Sequence, residues 1–193
     1  MPSFSAVLLT GGQSTRMASD KALLPLPGAD LLLWQRQLRV LEELRPEKIF
    51  WSGLPREGVS ARVSIVPDKV EKVGPLAGIS VCLDLLESDL LVVLAIDLPQ
   101  MTPVFLQGLL TKCSPECGAV AQHDDFFEPL AAVYPKRIAP LAKNHLETGH
   151  YAMQELIREA VKQDMLQAIA LDAKDLSLFK NLNTPADLHH LTK

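Results

Sequence analysis

Apolar and polar segments alternate regularly through the first half of the chain. Short apolar runs that end near Gly, Pro or Asp predict buried strands at residues 5–10, 48–51, 62–66 and 90–96. Leucines at helical spacing predict a helix over residues 31–44, and a proline near a first turn predicts another over 75–86. This alternation of strands and helices indicates right-handed crossovers and a mainly parallel sheet.

The second half of the chain has a less regular pattern. Thr102 and Pro103 predict the N-cap and the first position of a helix that ends near residue 110. Further strands are predicted at residues 118–122, 126–134, 166–171 and 178–182, and further helices at 140–146, 151–162 and 185–191. We therefore expect an α/β fold, a Rossmann-like three-layer sandwich with a mostly parallel central sheet. The absence of an internal repeat or a long linker predicts one domain over residues 1–193.

Composition narrows the class of protein. The chain has 193 residues, of which 48% are hydrophobic and 22% charged, with a net charge of −4, which is typical of a folded domain rather than a disordered chain. The apolar run at residues 90–96 is far shorter than the roughly 20 residues of a membrane span. No basic signal-peptide region opens the sequence, and three cysteines favour a reducing compartment, so we expect a cytoplasmic protein. Without a Lys/Arg cluster, neither nucleic acid nor membrane is an expected partner.

Polar clusters follow four of the predicted strands. They are residues 11–21, 52–53, Asp68 and Asp97. In a doubly wound sheet, ligands bind outside the carboxyl ends of the strands. We therefore expect these four clusters to meet at one edge of the sheet and to form a ligand site there.

The cluster at residues 11–21 has the composition of an anion site. Gly11 and Gly12 would let backbone N–H groups approach a ligand closely, and Arg16 and Lys21 supply two cations for a polyphosphate. The segment matches neither the Walker A pattern nor G-x-G-x-x-G. On spacing alone, a surface turn with two solvated basic residues explains it about as well.

Asp97 directly follows the most apolar predicted strand. A carboxylate there could hold Mg²⁺ against a nucleotide phosphate, because Mg²⁺ commonly takes one or two carboxylates together with phosphate oxygens. A helix cap or Asx-turn is the alternative role for an Asp in this position. The histidines and cysteines lack metal-ligand spacing, and no G-x-S-x-G element is present, which leaves nucleotide chemistry as the favoured reading.

Four motifs carry a resemblance to a known family. They are Leu-Thr-Gly-Gly-Gln-Ser-Thr-Arg-Met-Ala-Ser-Asp-Lys at residues 9–21, Gly-Pro-Leu-Ala-Gly at 74–78, Asp-Leu-Pro at 97–99 and Asn-Leu-Asn-Thr-Pro-Ala-Asp-Leu at 181–188. In this order they resemble the nucleotidyltransferases that include molybdenum cofactor guanylyltransferase. The resemblance implies one nucleotidyltransferase domain, with a nucleotide-binding half at about 1–100 and an acceptor-binding half at about 101–193.

The resemblance also implies a reaction and its participants. GMP would pass from GTP to molybdopterin with release of pyrophosphate, Mg²⁺ would be the cofactor, and carrier or acceptor proteins for molybdopterin are further possible partners. The residues implied for catalysis are Arg16, Lys21 and Asp97, the last as the metal ligand. Those implied for GTP binding are Leu9, Thr10, Gly11, Gly12, Lys21, Ser52, Asp68, Gly74, Pro75, Gly78 and Asp97, and those implied for the acceptor are Asn181 and Asn183.

The resemblance specifies the base of the nucleotide and the acceptor substrate less closely than it specifies the reaction. By the same resemblance, Gly11 stands where cytidylyl relatives tend to have Ala, and the missing methyl favours a purine and hence GTP. Ser52, Ile96 and Glu128 depart from residues usual in the family at these positions. Two alternatives therefore stay open. One is nucleotidyl transfer with another base or acceptor, such as CTP with molybdopterin or a sugar phosphate, and the other is a nucleotide-binding regulatory module whose catalysis has lapsed.

Overall fold

The fold was analysed in a computed structural model. The described residues are 1–11, 21–26, 30–66, 73–182 and 187. The strands are Phe4–Leu9 (β1), Ile49–Ser52 (β2), Val63–Val66 (β3), Leu90–Ala95 (β4), Gly118–His123 (β5), Phe126–Pro135 (β6) and Leu166–Ala170 (β7). The α-helices are Leu33–Glu43 (α1), Pro75–Asp84 (α2), Pro103–Leu110 (α3), Ala139–Glu147 (α4) and Met153–Lys162 (α5), and three short 3-10 helices occupy Lys21–Leu23, Lys136–Ile138 and Ala173–Phe179.

The seven strands in the described part of the chain form one sheet in the order β3-β2-β1-β4-β6-β5-β7. The pairs β1–β2, β1–β4, β2–β3 and β5–β7 are parallel, whereas β6 runs antiparallel to both of its neighbours. This confirms the predicted, mostly parallel α/β sheet. The order of strands reverses between β1 and β4, so the crevice for a ligand should open at the carboxyl ends of these two strands.

Helices cover both faces of the sheet, which gives the predicted three layers. Along β1, Ala6 and Leu8 pack into the core that includes residues of α1 and α3, while Val7 and Leu9 pack into the core that includes residues of α2, α4 and α5. All six residues of β4 are buried, because this strand lies in the middle of the sheet with helices on both sides. Within the described part of the chain, no helix has both the length and the apolar character needed to cross a lipid bilayer.

Most predicted elements lie within a few residues of the observed ones. The cap of α3 is as predicted, because the Thr102 hydroxyl accepts a hydrogen bond from the Phe105 N–H at 3.3 Å and Pro103 is the first residue of the helix. The strand predicted at residues 178–182 is wrong. Residues up to Phe179 belong to a 3-10 helix, and the Leu182 N–H donates to the Asp97 carbonyl at 2.8 Å instead of to a strand. The helix predicted at 185–191 lies outside the described residues, apart from residue 187.

Candidate functional site

Three of the four predicted polar clusters meet at the carboxyl edge of the sheet. Thr10 and Gly11 follow β1, Gly53 follows β2, and Asp97 lies two residues beyond the end of β4. The register pairs Leu9 of β1 with the last residue of each neighbouring strand, so the three ends lie side by side. The described residues therefore place a polar site at the reversal of strand order. The fourth cluster, Asp68, lies outside the described residues.

The Ser52 carbonyl organises the loop that follows β1. It accepts hydrogen bonds from the Thr10 N–H at 2.8 Å, the Gly11 N–H at 3.2 Å and the Thr10 hydroxyl at 2.9 Å. The Ser52 side chain itself is only 2% exposed. Ser52 therefore positions this loop through its backbone carbonyl, a group that every residue type carries.

Two glycines allow the walls of the site to approach each other. Gly53 has φ of +139°, and a Cβ there would collide with the Thr10 hydroxyl. Gly78 lies in the first turn of α2, where a Cβ would collide with the Ser52 hydroxyl and lie 3.5 Å from Leu9 Cδ2. The start of α2 therefore packs directly on the ends of β1 and β2. Gly74 and Pro75, both predicted to line the nucleotide, are the N-cap and the first residue of this helix.

Asp97 carries a partly buried carboxylate at this edge. Burial raises the pKa of the Asp97 carboxyl group above its ordinary value, and the nearby Lys21 ammonium opposes that shift. Its backbone is fixed by the Leu182 N–H, which donates to the Asp97 carbonyl, and by the preceding Ile96 N–H, which donates to the Leu9 carbonyl at 3.0 Å. A poorly hydrated carboxylate on a fixed backbone is well suited to bind a cation.

The donor set at Asp97 fits a metal ion that is shared with a ligand. Among the described residues, no group of three or more His, Cys, Asp and Glu side chains could hold a metal ion alone. Mg²⁺ does not need such a group, because it usually keeps several waters and binds through one or two carboxylates plus substrate phosphates. The single carboxylate with a lysine nearby therefore fits Mg²⁺ carried in with a polyphosphate.

Lys21, the last residue of the predicted anion-binding cluster, contacts the C-terminal segment. Its ammonium group donates to the Leu182 carbonyl at 2.8 Å, while the Leu182 N–H donates to the Asp97 carbonyl at 2.8 Å. One residue thus bridges the predicted phosphate-binding lysine and the predicted metal ligand. Asn181, predicted to face the acceptor, directly precedes this bridge.

The structure brings together a large part of the predicted site. The predicted residues found along this edge or at its border are Leu9, Thr10, Gly11, Lys21, Ser52, Gly74, Pro75, Gly78, Asp97 and Asn181. Gly12, Arg16, Asp68 and Asn183 lie outside the described residues, so their roles stay predictions.

Sequence reasoning missed one part of the site, the buried Gln37 and the half-buried Arg36 on α1. Gln37 is 0% exposed, and its side chain hydrogen-bonds to the turn that contains Asp97. Its neighbour Arg36 donates to the Gln37 side chain. The only signal in the sequence is that Gln37 lies one turn from Leu33 and Leu41, within the apolar stripe of the helix.

The β5–β6 hairpin extends the same edge of the sheet towards the second half of the chain. Because β6 is antiparallel to both β4 and β5, the start of β6 and the end of β5 lie at the edge where Asp97 lies. Glu128 of β6 is partly buried there, and burial raises the pKa of its carboxyl group while His123 opposes the shift. This hairpin is the wall next to the candidate nucleotide site.

Comparisons with known proteins agree with this architecture. The profile of the MobA-like NTP transferase domain matches residues 6–165. A protein of Opitutus terrae named "Probable molybdenum cofactor guanylyltransferase" is 35% identical over 95% of this chain and 92% of its own length. A molybdenum cofactor guanylyltransferase of Syntrophotalea carbinolica is 28% identical over 95% and 88%.

A solved structure has the same fold at moderate sequence similarity. It is molybdopterin-guanine dinucleotide biosynthesis protein A of Archaeoglobus fulgidus, with a TM-score of 0.72 and 25% identity over 96% of this chain and 95% of that one. The match of fold, sequence and domain profile extends over nearly the whole chain. The chain therefore belongs to the MobA-like NTP transferase family and is a nucleotidyltransferase that groups with the molybdenum cofactor guanylyltransferases.

Proposed function

We propose that this protein transfers GMP from GTP to molybdopterin and releases pyrophosphate. Relatives named for guanylyl transfer to the molybdenum cofactor support the substrates, at up to 35% identity over 95% of the chain. The observation that carries the chemistry is the placement of Lys21 and Asp97 on either side of the Leu182 backbone, at the edge where the strand order reverses between β1 and β4. A cation and a partly buried carboxylate at this point fit a metal-bound triphosphate.

The proposed reaction is a displacement at phosphorus. A terminal phosphate oxygen of molybdopterin attacks the α-phosphorus of GTP, the bond from that phosphorus to the bridging oxygen breaks, and pyrophosphate leaves with the electron pair. Such a transfer depends on positioning and charge stabilisation rather than on a covalent intermediate with the enzyme. When bound, Mg²⁺ would neutralise the charge that develops on the phosphate oxygens.

The residues of this chain take distinct roles in the proposal. Asp97 holds the metal ion, and Lys21 neutralises the triphosphate, with Arg16 as a second cation. Thr10 and Gly11 face the base on the loop that the Ser52 carbonyl fixes. Leu9 lines the same pocket, and Gly12 admits the phosphates. Asp68 contacts the nucleoside, while Gly74, Pro75 and Gly78 shape the wall at the start of α2.

Guanine is the proposed base because of the space at Gly11. An alanine at this position would add a methyl group beside the base. A difference of one methyl group changes the relative binding free energy of two bases by roughly 1–3 kcal/mol. On the acceptor side, Asn181 and Asn183 are proposed contacts, next to the Leu182 bridge. A carrier or acceptor protein for molybdopterin is a further proposed partner.

A nucleotide titration by calorimetry tests the proposed substrate. We expect GTP to bind, more tightly with Mg²⁺ than with EDTA, and we expect ATP, CTP and UTP to bind more weakly. Preference for CTP would overturn the assignment of guanine. If no nucleotide bound, with or without molybdopterin, the protein would not be the proposed transferase.

A further inference from the structure

Gln37 is a buried amide whose hydrogen bonds bracket Asp97. Its Nε2 group donates to the Ala95 carbonyl at 3.1 Å and to the Leu98 carbonyl at 2.9 Å. These carbonyls lie two residues before and one residue after Asp97. Gln37 is 0% exposed, so both bonds are made away from solvent. The amide therefore holds both sides of the turn that presents the carboxylate.

Arg36 completes the hydrogen bonding of this amide. Its Nη1 group donates to Gln37 Oε1 at 2.7 Å, and its Nη2 group donates to the Met101 carbonyl at 3.1 Å. The arrangement fixes the orientation of the amide, because a reversed amide would turn its oxygen towards two carbonyls and its nitrogen towards a guanidinium group. Together, the Gln37 and Arg36 side chains of α1 donate hydrogen bonds to three carbonyls of one short segment, those of residues 95, 98 and 101.

The remaining backbone contacts of the turn show how closely it is held. The Ile96 N–H donates to the Leu9 carbonyl, and the Asp97 carbonyl accepts from the Leu182 N–H. The turn is therefore held by β1, by the C-terminal segment and by α1 at the same time. A buried amide loses free energy when its partners are removed, so a packing role alone would be served better by an apolar side chain of similar length.

The start of α1 also contacts the segment that follows Lys21. The Leu33 N–H at the start of α1 donates to the Leu24 carbonyl at 2.9 Å, and the Leu26 N–H donates to the Leu31 carbonyl at 2.9 Å. The first bond attaches the start of α1 to the residue that follows the 3-10 helix Lys21–Leu23, and the second closes the loop between them. Helix α1 therefore contacts both the segment next to Lys21 and, through Gln37, the turn that contains Asp97.

We propose that Gln37, supported by Arg36, is a positioning residue that fixes the Asp97 carboxylate relative to Lys21 for a metal-bound nucleoside triphosphate. The proposal rests on the function proposed above and adds the residue that sets the geometry of the site. Groups that orient a metal ligand without touching the metal change metal affinity by about 10–100-fold when they are replaced.

The test compares Gln37→Met with the unmodified protein. Methionine keeps the length of the side chain and removes all three hydrogen bonds of the amide. We expect the gain in GTP affinity on adding Mg²⁺ to fall about 10-fold or more, with metal-free GTP binding unchanged. Backbone amides of residues 96–101 should exchange hydrogen faster, and kcat should fall by about 10²-fold, because misplacement by about 1 Å is enough for such a loss.

A matched control is available at the opposite end of β4. Ser88 is 2% exposed, and its hydroxyl pairs with the Ser5 hydroxyl at 2.9 Å and with the Leu90 carbonyl at 3.2 Å. Ser88→Ala removes buried hydrogen bonds of the same strand far from Asp97. We expect it to lower the melting temperature without changing the Mg²⁺ dependence of GTP binding or hydrogen exchange at residues 96–101.

The outcomes separate this inference from the proposed function. If Gln37→Met binds GTP with the Mg²⁺ dependence of the unmodified protein, Gln37 only stabilises the fold and the inference is wrong, while the function stands. If Gln37→Met does not fold, Arg36→Met is the decisive variant. It keeps the Gln37 amide but removes the guanidinium group that fixes the orientation of this amide and binds the Met101 carbonyl. It should therefore shift the Mg²⁺ dependence of GTP binding in the same direction. No shift in that variant overturns the inference. Absence of Mg²⁺-linked GTP binding by the unmodified protein overturns both.

Discussion

Asp97→Asn should lower the rate of nucleotide transfer by about 10³-fold or more, because a neutral amide cannot hold the divalent cation that offsets charge on the triphosphate. The side chains have the same shape, so the fold should be preserved. Steady-state rates at saturating Mg²⁺ and GTP measure the loss, and circular dichroism checks the fold. Asp84→Asn, an exposed carboxylate at the end of α2, is the control and should keep full activity.

The same substitution should stabilise the protein at neutral pH. Burial raises the pKa of Asp97 above its ordinary value, so the folded state binds the proton more tightly than the unfolded chain does. Stability therefore falls as pH rises through the interval between the ordinary and the raised pKa. Asn removes this loss, and each kcal/mol gained should raise the melting temperature by roughly 2–4 °C. Full transfer activity in Asp97→Asn would contradict the proposed metal site, and a large fall in melting temperature would indicate a structural role.

Lys21→Met should weaken GTP binding by about 10- to 100-fold, the usual effect of losing one charge-assisted contact to phosphate. The Lys21 ammonium group is held near the edge of the sheet by the Leu182 carbonyl, so it is already placed for a phosphate. Calorimetry with GTP and Mg²⁺ measures the change. Lys143→Met, which removes an exposed lysine of α4, should leave the affinity unchanged. Equal affinities for Lys21→Met and the unmodified protein would mean that the triphosphate binds elsewhere.

The pH dependence of Lys21→Met gives a second readout. Lys21 opposes the rise in the pKa of Asp97, so its removal should raise that pKa further. A proton competes with Mg²⁺ for the carboxylate. Loss of Mg²⁺-linked binding on acidification should therefore begin at a higher pH in the variant.

Features that depend on local pattern were predictable from the sequence. The apolar runs of β1 and β4 and the cap at Thr102 each correspond to a physical requirement within a few residues. The convergence of Gly11, residues 52–53 and Asp97 followed from the parallel topology, because strand ends in such a sheet share one edge.

Features that depend on distant backbone groups were not predictable. Residues 178–182 have the apolar character of a strand, but the Leu182 N–H bonds to Asp97 and Phe179 packs edge-on against Phe105. The Leu182 carbonyl that holds Lys21 has no signature in the sequence, because every residue carries the same group. In the sequence, Gln37 is visible only as a polar residue in an apolar stripe, because the two carbonyls to which it donates lie 58 and 61 residues away.

The most direct test of guanylyl transfer follows the two ends of GTP separately. The protein would be incubated with molybdopterin, Mg²⁺ and GTP labelled at either the α- or the γ-phosphate. The proposed reaction places the α-label in a guanine dinucleotide form of the cofactor and the γ-label in pyrophosphate, in equal amounts. Release of the γ-label as inorganic phosphate, or no α-label in the cofactor while GTP binds with Mg²⁺, would contradict the proposed transfer.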